Sequence, residues 1–152
     1  MKNVLAEKDF LQIENRIHLL NDASQRYWGK MTVTEMLAHC ADQIRLALGQ
    51  KEPHQKPTFI NRNITKYVGL WLPVIPFKNL KGPVDMDQQY YGTASADIVT
   101  EKLNLLTLLV QVRGLSEQVI LLPHPMFGKL SRSQWGRFMY VHIDHHLRQF
   151  DV

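Results

Sequence analysis

A single cysteine, Cys40, stands in the whole 152-residue chain, so no internal disulfide can form and the composition fits a reducing compartment. Next to His39 it invites a ligand or redox reading, but a lone Cys among apolar helical residues is more simply a small buried hydrophobe. Also missing is any run of five or more basic residues, although Lys and Arg together number 18 and the net charge is +4. Nucleic-acid binders of this size concentrate such charge on one element. Here the nearest approach is 61–67, with Arg62 and Lys66 one turn apart. Long apolar runs are absent too: the longest, 103–112, is about half of what a bilayer requires. The opening MKNVLAEKDF carries acids and no apolar core, unlike a signal peptide. No repeats, no low-complexity tract and no strand-like alternation occur. Together these absences describe a soluble, cytoplasmic protein with no membrane and no nucleic-acid partner.

Apolar residues make up 45% of the chain and charged ones 21%, and its length is that of one domain, 1–152, able to bury its own core. Phe10, Ile13, Ile17 and Leu20 recur at spacings of three and four, predicting a first amphipathic helix over 8–20, with His18 at the surface. A second helix over 33–48 has the clearest ends. Thr32 and Glu35 form a capping box, Met31 and Met36 a hydrophobic staple, and Gly49 stands where a left-handed terminator belongs. Met36, Cys40, Ile44 and Ala47 line its apolar face, and His39 borders that face.

Residues 50–57 are polar and interrupted by Pro53 and Pro57; a short helix is expected through 59–71. The stretch 72–92, rich in Pro and Gly, reads as a long loop that roofs a pocket with Trp71, Phe77 or Tyr91. Thr93 or Ser95 would then cap a third helix ending at Gly114. Leu103, Leu105, Leu106, Leu108, Leu109 and Val110 make its middle apolar almost all round, which suggests a central position or cover by a second subunit in a homodimer. Ser131 and Gln134 form another capping box, with Leu130 and Trp135 as its staple, opening a fourth helix over 132–149. The expected fold is all-α, an antiparallel four-helix bundle with a long loop between the second and third long helices.

Three of the seven histidines, His142, His145 and His146, fall within this last helix. His142 and His146 are four apart, hence on one face, and they share it with Trp135, Phe138 and Met139. Such a face points at the core, where an imidazole must be hydrogen-bonded or liganded. The same spacing presents two histidines to one metal ion. A third ligand must come from another helix, and His39 is the only other histidine in a well-capped helix beside an apolar face. His124, between two prolines, His54, in a polar loop, and His18 lack that setting. Spacing alone leaves the alternative open that this is merely a His-rich polar helix end.

HIDHHLRQF resembles the H-x-x-H-H-x-x-Q ending of the last bundle helix in the DinB/YfiT-like superfamily. MTVTEMLAHCADQIRLALG is similar to that superfamily's second helix, where its first metal-ligand histidine stands. PHPMFGKLSRSQWGRFMYVHIDHHLRQF is similar to one branch labelled a domain of unknown function. The resemblance spans nearly the full chain and is specific at the second and fourth helices. It implies that His39, His142 and His146 bind a divalent metal, zinc or nickel. His145 and Gln149 would then act on a hydrogen-bonded neighbour, a bound water or a substrate, Gln149 having the alternative of capping the helix end. From their places on the second helix, Asp42 and Gln43 either orient His39 through its second ring nitrogen or are simply solvated.

Three neutral imidazoles leave a dication its full charge. An open coordination position can then acidify water or hold a thiolate. The resemblance ranks a metal-dependent transferase that activates a low-molecular-weight thiol first. The alternatives are a metal-dependent hydrolase and a non-enzymatic bundle stapled by a structural metal. No general base and no substrate can be named from the residues.

Overall fold

The computed structural model describes residues 1–54, 87 and 90–152. Within them lie four helices, and no strand occurs among the described residues; a lone antiparallel bridge pairs His124 with Gly128. Helix α1 spans Glu7–Leu19 and buries Phe10, Ile13 and Ile17, the stripe anticipated from their spacing. Leu20, just beyond it, is buried as well, and His18 is exposed.

Helix α2 spans Val33–Leu48. Its start is held by a reciprocal box: Thr32 Oγ1 accepts from the Glu35 amide, and the Glu35 carboxylate accepts from the Thr32 amide. These two bonds satisfy amide groups that a helix start leaves orphaned. Gly49 ends it at φ 73°, in the left-handed region that glycine enters without steric cost. Met36, Leu37, Cys40, Ala41, Ile44 and Ala47 of this helix are all buried.

Helix α3, Ile98–Gly114, differs from expectation at its start. Its cap is Asp97, whose carboxylate accepts from the amide and hydroxyl of Thr100, and not Thr93 or Ser95. Thr93 is drawn away because its amide and hydroxyl both donate to the Asp42 carboxylate, at 2.7 and 2.6 Å. Nor is α3 enclosed by the rest of the described residues. It buries Leu105, Leu108, Leu109 and Val112, but Val99, Leu103 and Val110 stand 72%, 65% and 54% exposed.

Helix α4 spans Arg132–Leu147, opened by the anticipated Ser131–Gln134 capping box, and tightens into a 3-10 turn over Arg148–Phe150. Its buried residues include Trp135, Met139 and Ile143. The most extensive packing is α2 on α3, followed by α1 on α4 and α2 on α4, with a smaller contact of α1 on α3. All four contribute to a single apolar core.

Asp42 joins the ends of the stretch between α2 and α3. Its fully buried carboxylate accepts from Lys51 at 2.7 Å and Arg45 at 3.0 Å, besides both Thr93 donors. Burial alone would raise this carboxyl's pKa. The bonds from Lys51, Thr93 and Arg45 outweigh that and hold it below the usual carboxylate value. The helix expected over 59–71, and Trp71 and Phe77 as roof residues, lie outside the described residues. Tyr91 is exposed and stacks on His54, with ring centroids 3.9 Å apart.

Candidate metal centre

Helices α2 and α4 bring three imidazoles to one point. Nε2 of His39 lies 3.1 Å from Nε2 of His142, and Nε2 of His146 lies 3.1 Å from the same atom. One ligand nitrogen from each of the three falls within 4.8 Å of the others, an arrangement that could hold a metal ion. The rings crowd together, centroids 4.6–4.9 Å apart. His39 is half-buried at the edge of the apolar face of α2, as its position beside Met36 implied, and His146 is buried.

The far side of two of these rings decides what the near side can do. Nδ1 of His142 lies 3.0 Å from Oε1 of Gln43, and Nδ1 of His146 lies 2.8 Å from Oε1 of Gln149. A carboxamide oxygen only accepts, so each Nδ1 must carry the proton and donate it. Neutral rings so protonated present bare lone pairs at Nε2. Two such lone pairs, with His39 beside them, cannot hydrogen-bond to one another; a cation at their meeting point resolves the repulsion. The donor set therefore fits a metal.

Burial reinforces this protonation state. It is the largest influence on His142, which is also opposed by the neighbouring His146, His39, His145 and His124, and its pKa sits well below the ordinary value. His146 is lowered in the same way, burial first and then His39, while its bond to Gln149 pulls slightly the other way. Both are neutral at pH 7, so a metal would meet little competition from protons.

Gln149 proves to be the partner of a clustered histidine, through a bond at the 3-10 turn that ends α4. Gln43 orients His142, across the helix interface, where the sequence suggested His39. A residue four positions from His39 on one helix reaches the facing helix as readily as its own neighbour. Asp42 turns away to Lys51, Arg45 and Thr93. His145 stays outside the cluster and meets the edge of Trp28, centroids 4.9 Å apart. Cys40 is fully buried, its Sγ 3.8 Å from Met36 Sδ, and burial pushes its thiol pKa far up. It is a core residue.

Two features escaped the sequence reading. The connector between α1 and α2 lies over the end of α4: the Tyr27 amide donates to the Gln149 carbonyl at 2.8 Å, and Trp28 meets His145. His124, set aside for its place between prolines, is buried to 2% exposure. Its Nδ1 accepts from the amides of Met126 and Phe127, at 3.0 and 3.1 Å. The ring stacks on Phe127 and meets Phe138 edge-on, and Phe138 in turn stacks on His142. The tight Pro-His-Pro-Met-Phe-Gly turn was the only available signal.

Among its described residues the chain is thus helical, with a partly buried cluster of three histidines shared between two helices. It belongs to the family described as "Protein of unknown function (DUF1569)", whose model matches residues 2–152. No curated protein and no solved structure matches it.

Proposed function

We propose that the chain is a single-domain metalloprotein of the DinB/YfiT-like kind, in which His39, His142 and His146 hold one zinc or nickel ion. The single observation carrying this reading is the convergence of Nε2 atoms at 3.1 Å while the opposite nitrogens of His142 and His146 donate to glutamine carbonyls. Nitrogens on a tetrahedral zinc at about 2.0–2.1 Å stand about 3.3 Å apart, close to that separation.

The packing supports an antiparallel bundle in the sense of two helices running each way. Contacts Tyr140–Gln12 and Asp144–Arg16 ascend together along α1 and α4, and Thr34–Ser95 and Gln50–Gln111 ascend together along α2 and α3. Lys102 reaches the carbonyls of His18 and Leu20, while Arg113 pairs with Glu7, so α1 and α3 run in opposition. The order is up, down, down, up. Parallel neighbours that follow one another in sequence need a long connection, and residues 49–97 separate these two helices.

As to chemistry, a metal-dependent transferase activating a low-molecular-weight thiol remains the preferred reading, with a hydrolase beside it. A bound dication would supply Lewis acidity to the thiol or to water. The chain's own part is to hold three neutral imidazoles and fix two of them through Gln43 and Gln149. Among the described residues the cluster has three donors, and a closed structural zinc site takes four, which favours an open site over a mere staple.

Elemental analysis tests the reading: close to one zinc or nickel per chain is expected, as purified or after reconstitution. His142→Ala and His146→Ala should lose metal and thermal stability together, while His54→Ala, in the exposed stack with Tyr91, should keep both. No transition metal in the wild type, or equal losses in all three variants, would refute it.

A further inference from the structure

His124 is a buried titratable side chain for which the three-histidine cluster has no direct use. Half of its ring closes a turn. Nδ1 accepts the amides of Met126 and Phe127, while the main chain of His124 exchanges two hydrogen bonds with Gly128, at 2.8 and 2.9 Å. An imidazole is more than that task requires, because the side-chain oxygen of an asparagine can accept backbone amides of the same turn. What an asparagine would lack is the remainder of the ring.

That remainder packs toward the histidine centre. The His124 ring meets Phe138 at 89°, centroids 4.7 Å apart, and Phe138 lies within 23° of parallel to His142 at 5.8 Å. Phe127 meets Phe138 at 90° and 5.2 Å, so Phe138 is wedged among rings in a close-packed interior. The turn is fastened to both helices that carry the cluster. The Leu122 amide donates to the Ala47 carbonyl of α2 at 2.9 Å, and Nε1 of Trp135 in α4 donates to the Leu122 carbonyl at 3.2 Å. His124 therefore presses on Phe138 from a fixed base.

His142 needs such a constraint. Its bond to Gln43 holds one edge of the ring, but one bond leaves the tilt of the ring plane open. The Nε2 lone pair lies in that plane, so the tilt decides where it aims.

We propose that His124 is a positioning residue of the histidine centre: through Phe138 it sets the tilt of the His142 ring and so directs Nε2 at the point shared with His39 and His146. The inference rests on the metal reading for what Nε2 meets there, whereas the tilt is a property of the chain itself. Groups that orient a metal ligand change affinity about 10- to 100-fold when removed. His124 acts one ring further out, which places it at the lower end.

Two substitutions separate the ring from the turn. His124→Asn keeps an acceptor for the turn and loses the ring contact. It should weaken zinc binding about tenfold, alter the visible spectrum of the cobalt(II) protein, which follows coordination geometry, and speed solvent exchange of the His142 Nδ1–H in metal-free protein, read by 15N-histidine NMR. His124→Phe keeps a ring and loses the acceptor. It should melt at a lower temperature yet keep affinity, spectrum and exchange near wild type. A His124 that only stabilises the fold predicts the reverse, with the less stable His124→Phe the weaker binder; that result overturns the inference, as does a His124→Asn protein with wild-type spectrum and exchange. Should His124→Phe fail to fold, Phe138→Leu replaces it. This variant should reproduce the effects of His124→Asn, and the double variant should lose little more than either alone; additive losses overturn the inference. A wild type that binds no metal refutes the metal reading, and the exchange rate of His142 in the metal-free variants then decides the tilt by itself.

Discussion

A Cβ built on Gly29 would lie 2.7 Å from Nε2 of Gln149, and Gly29 itself sits at φ 88°. The connector before α2 thus presses on the very amide whose carbonyl receives the proton of His146. A side chain at position 29 must push that amide aside. Gly29→Ala should therefore lower metal affinity although residue 29 coordinates nothing, and should cost about 1 kcal/mol from the positive φ alone. Chelator competition and thermal melting measure the two effects separately. Unchanged affinity with lowered stability would mean that Gln149 finds another position without releasing His146.

The two glutamines invite a direct comparison. Gln43→Leu and Gln149→Leu each remove the acceptor that fixes a ring tautomer, and each should weaken metal binding about 10- to 100-fold. Competition against a chelator of known affinity reads this. Affinities equal to wild type in both would show that the rings hold their orientation by packing alone.

Acidification should unfold the metal-free protein before it reaches the range of ordinary carboxylates. His124, His142 and His146 are buried neutral, with folded pKa values below the unfolded value of 6.5. The unfolded chain therefore takes up protons first. Their contribution to stability is whole above pH 6.5 and is lost as pH falls, for His124 down to about 3. Each should remove about 1.4 kcal/mol per pH unit within its window. Urea denaturation of the metal-free protein at pH 7.5, 6.0 and 5.0 gives the slope, and a flat profile would contradict buried neutral imidazoles.

Asp42→Asn tests a separate part of the molecule. It removes the charge that Lys51 and Arg45 share, at a site where the carboxylate is fully buried. The expected loss is about 2–3 kcal/mol, the range for hydrogen bonds to a buried charge. Metal content should not change, because Asp42 does not reach the cluster. Coupled loss of metal and stability would tie the clamp to the site more closely than its contacts indicate.

Local signals in the sequence carried the parts that depend on near neighbours. Both capping boxes, the Gly49 terminator and the buried stripe of α1 rest on contacts within five residues. The pairing of His142 with His146 followed from helical spacing, and the choice of His39 from the apolar face it borders. Tertiary competition defeated the rest. Thr93 looks like a helix cap but spends its donors on Asp42, leaving the cap to Asp97. Gln43 serves a ring on another helix, a pairing that adjacency in sequence cannot reveal. His124 gave no periodic signal, since its burial comes from a turn folding the ring onto Phe127 and Phe138. In α3, leucine content suggested either a central position or cover by a second subunit, and the outward-facing Val99, Leu103 and Val110 exclude the first alone.

The Asp42 clamp carries an evolutionary corollary. Lys51 and Thr93 are fastened to one carboxylate, so the intervening stretch departs from and returns to a single anchored point. Closing such a loop at a fixed base costs only slowly more as residues are added. Insertions or deletions between those two residues should therefore leave the helices bearing the three histidines undisturbed, which confines any change of length to the far side of the carboxylate.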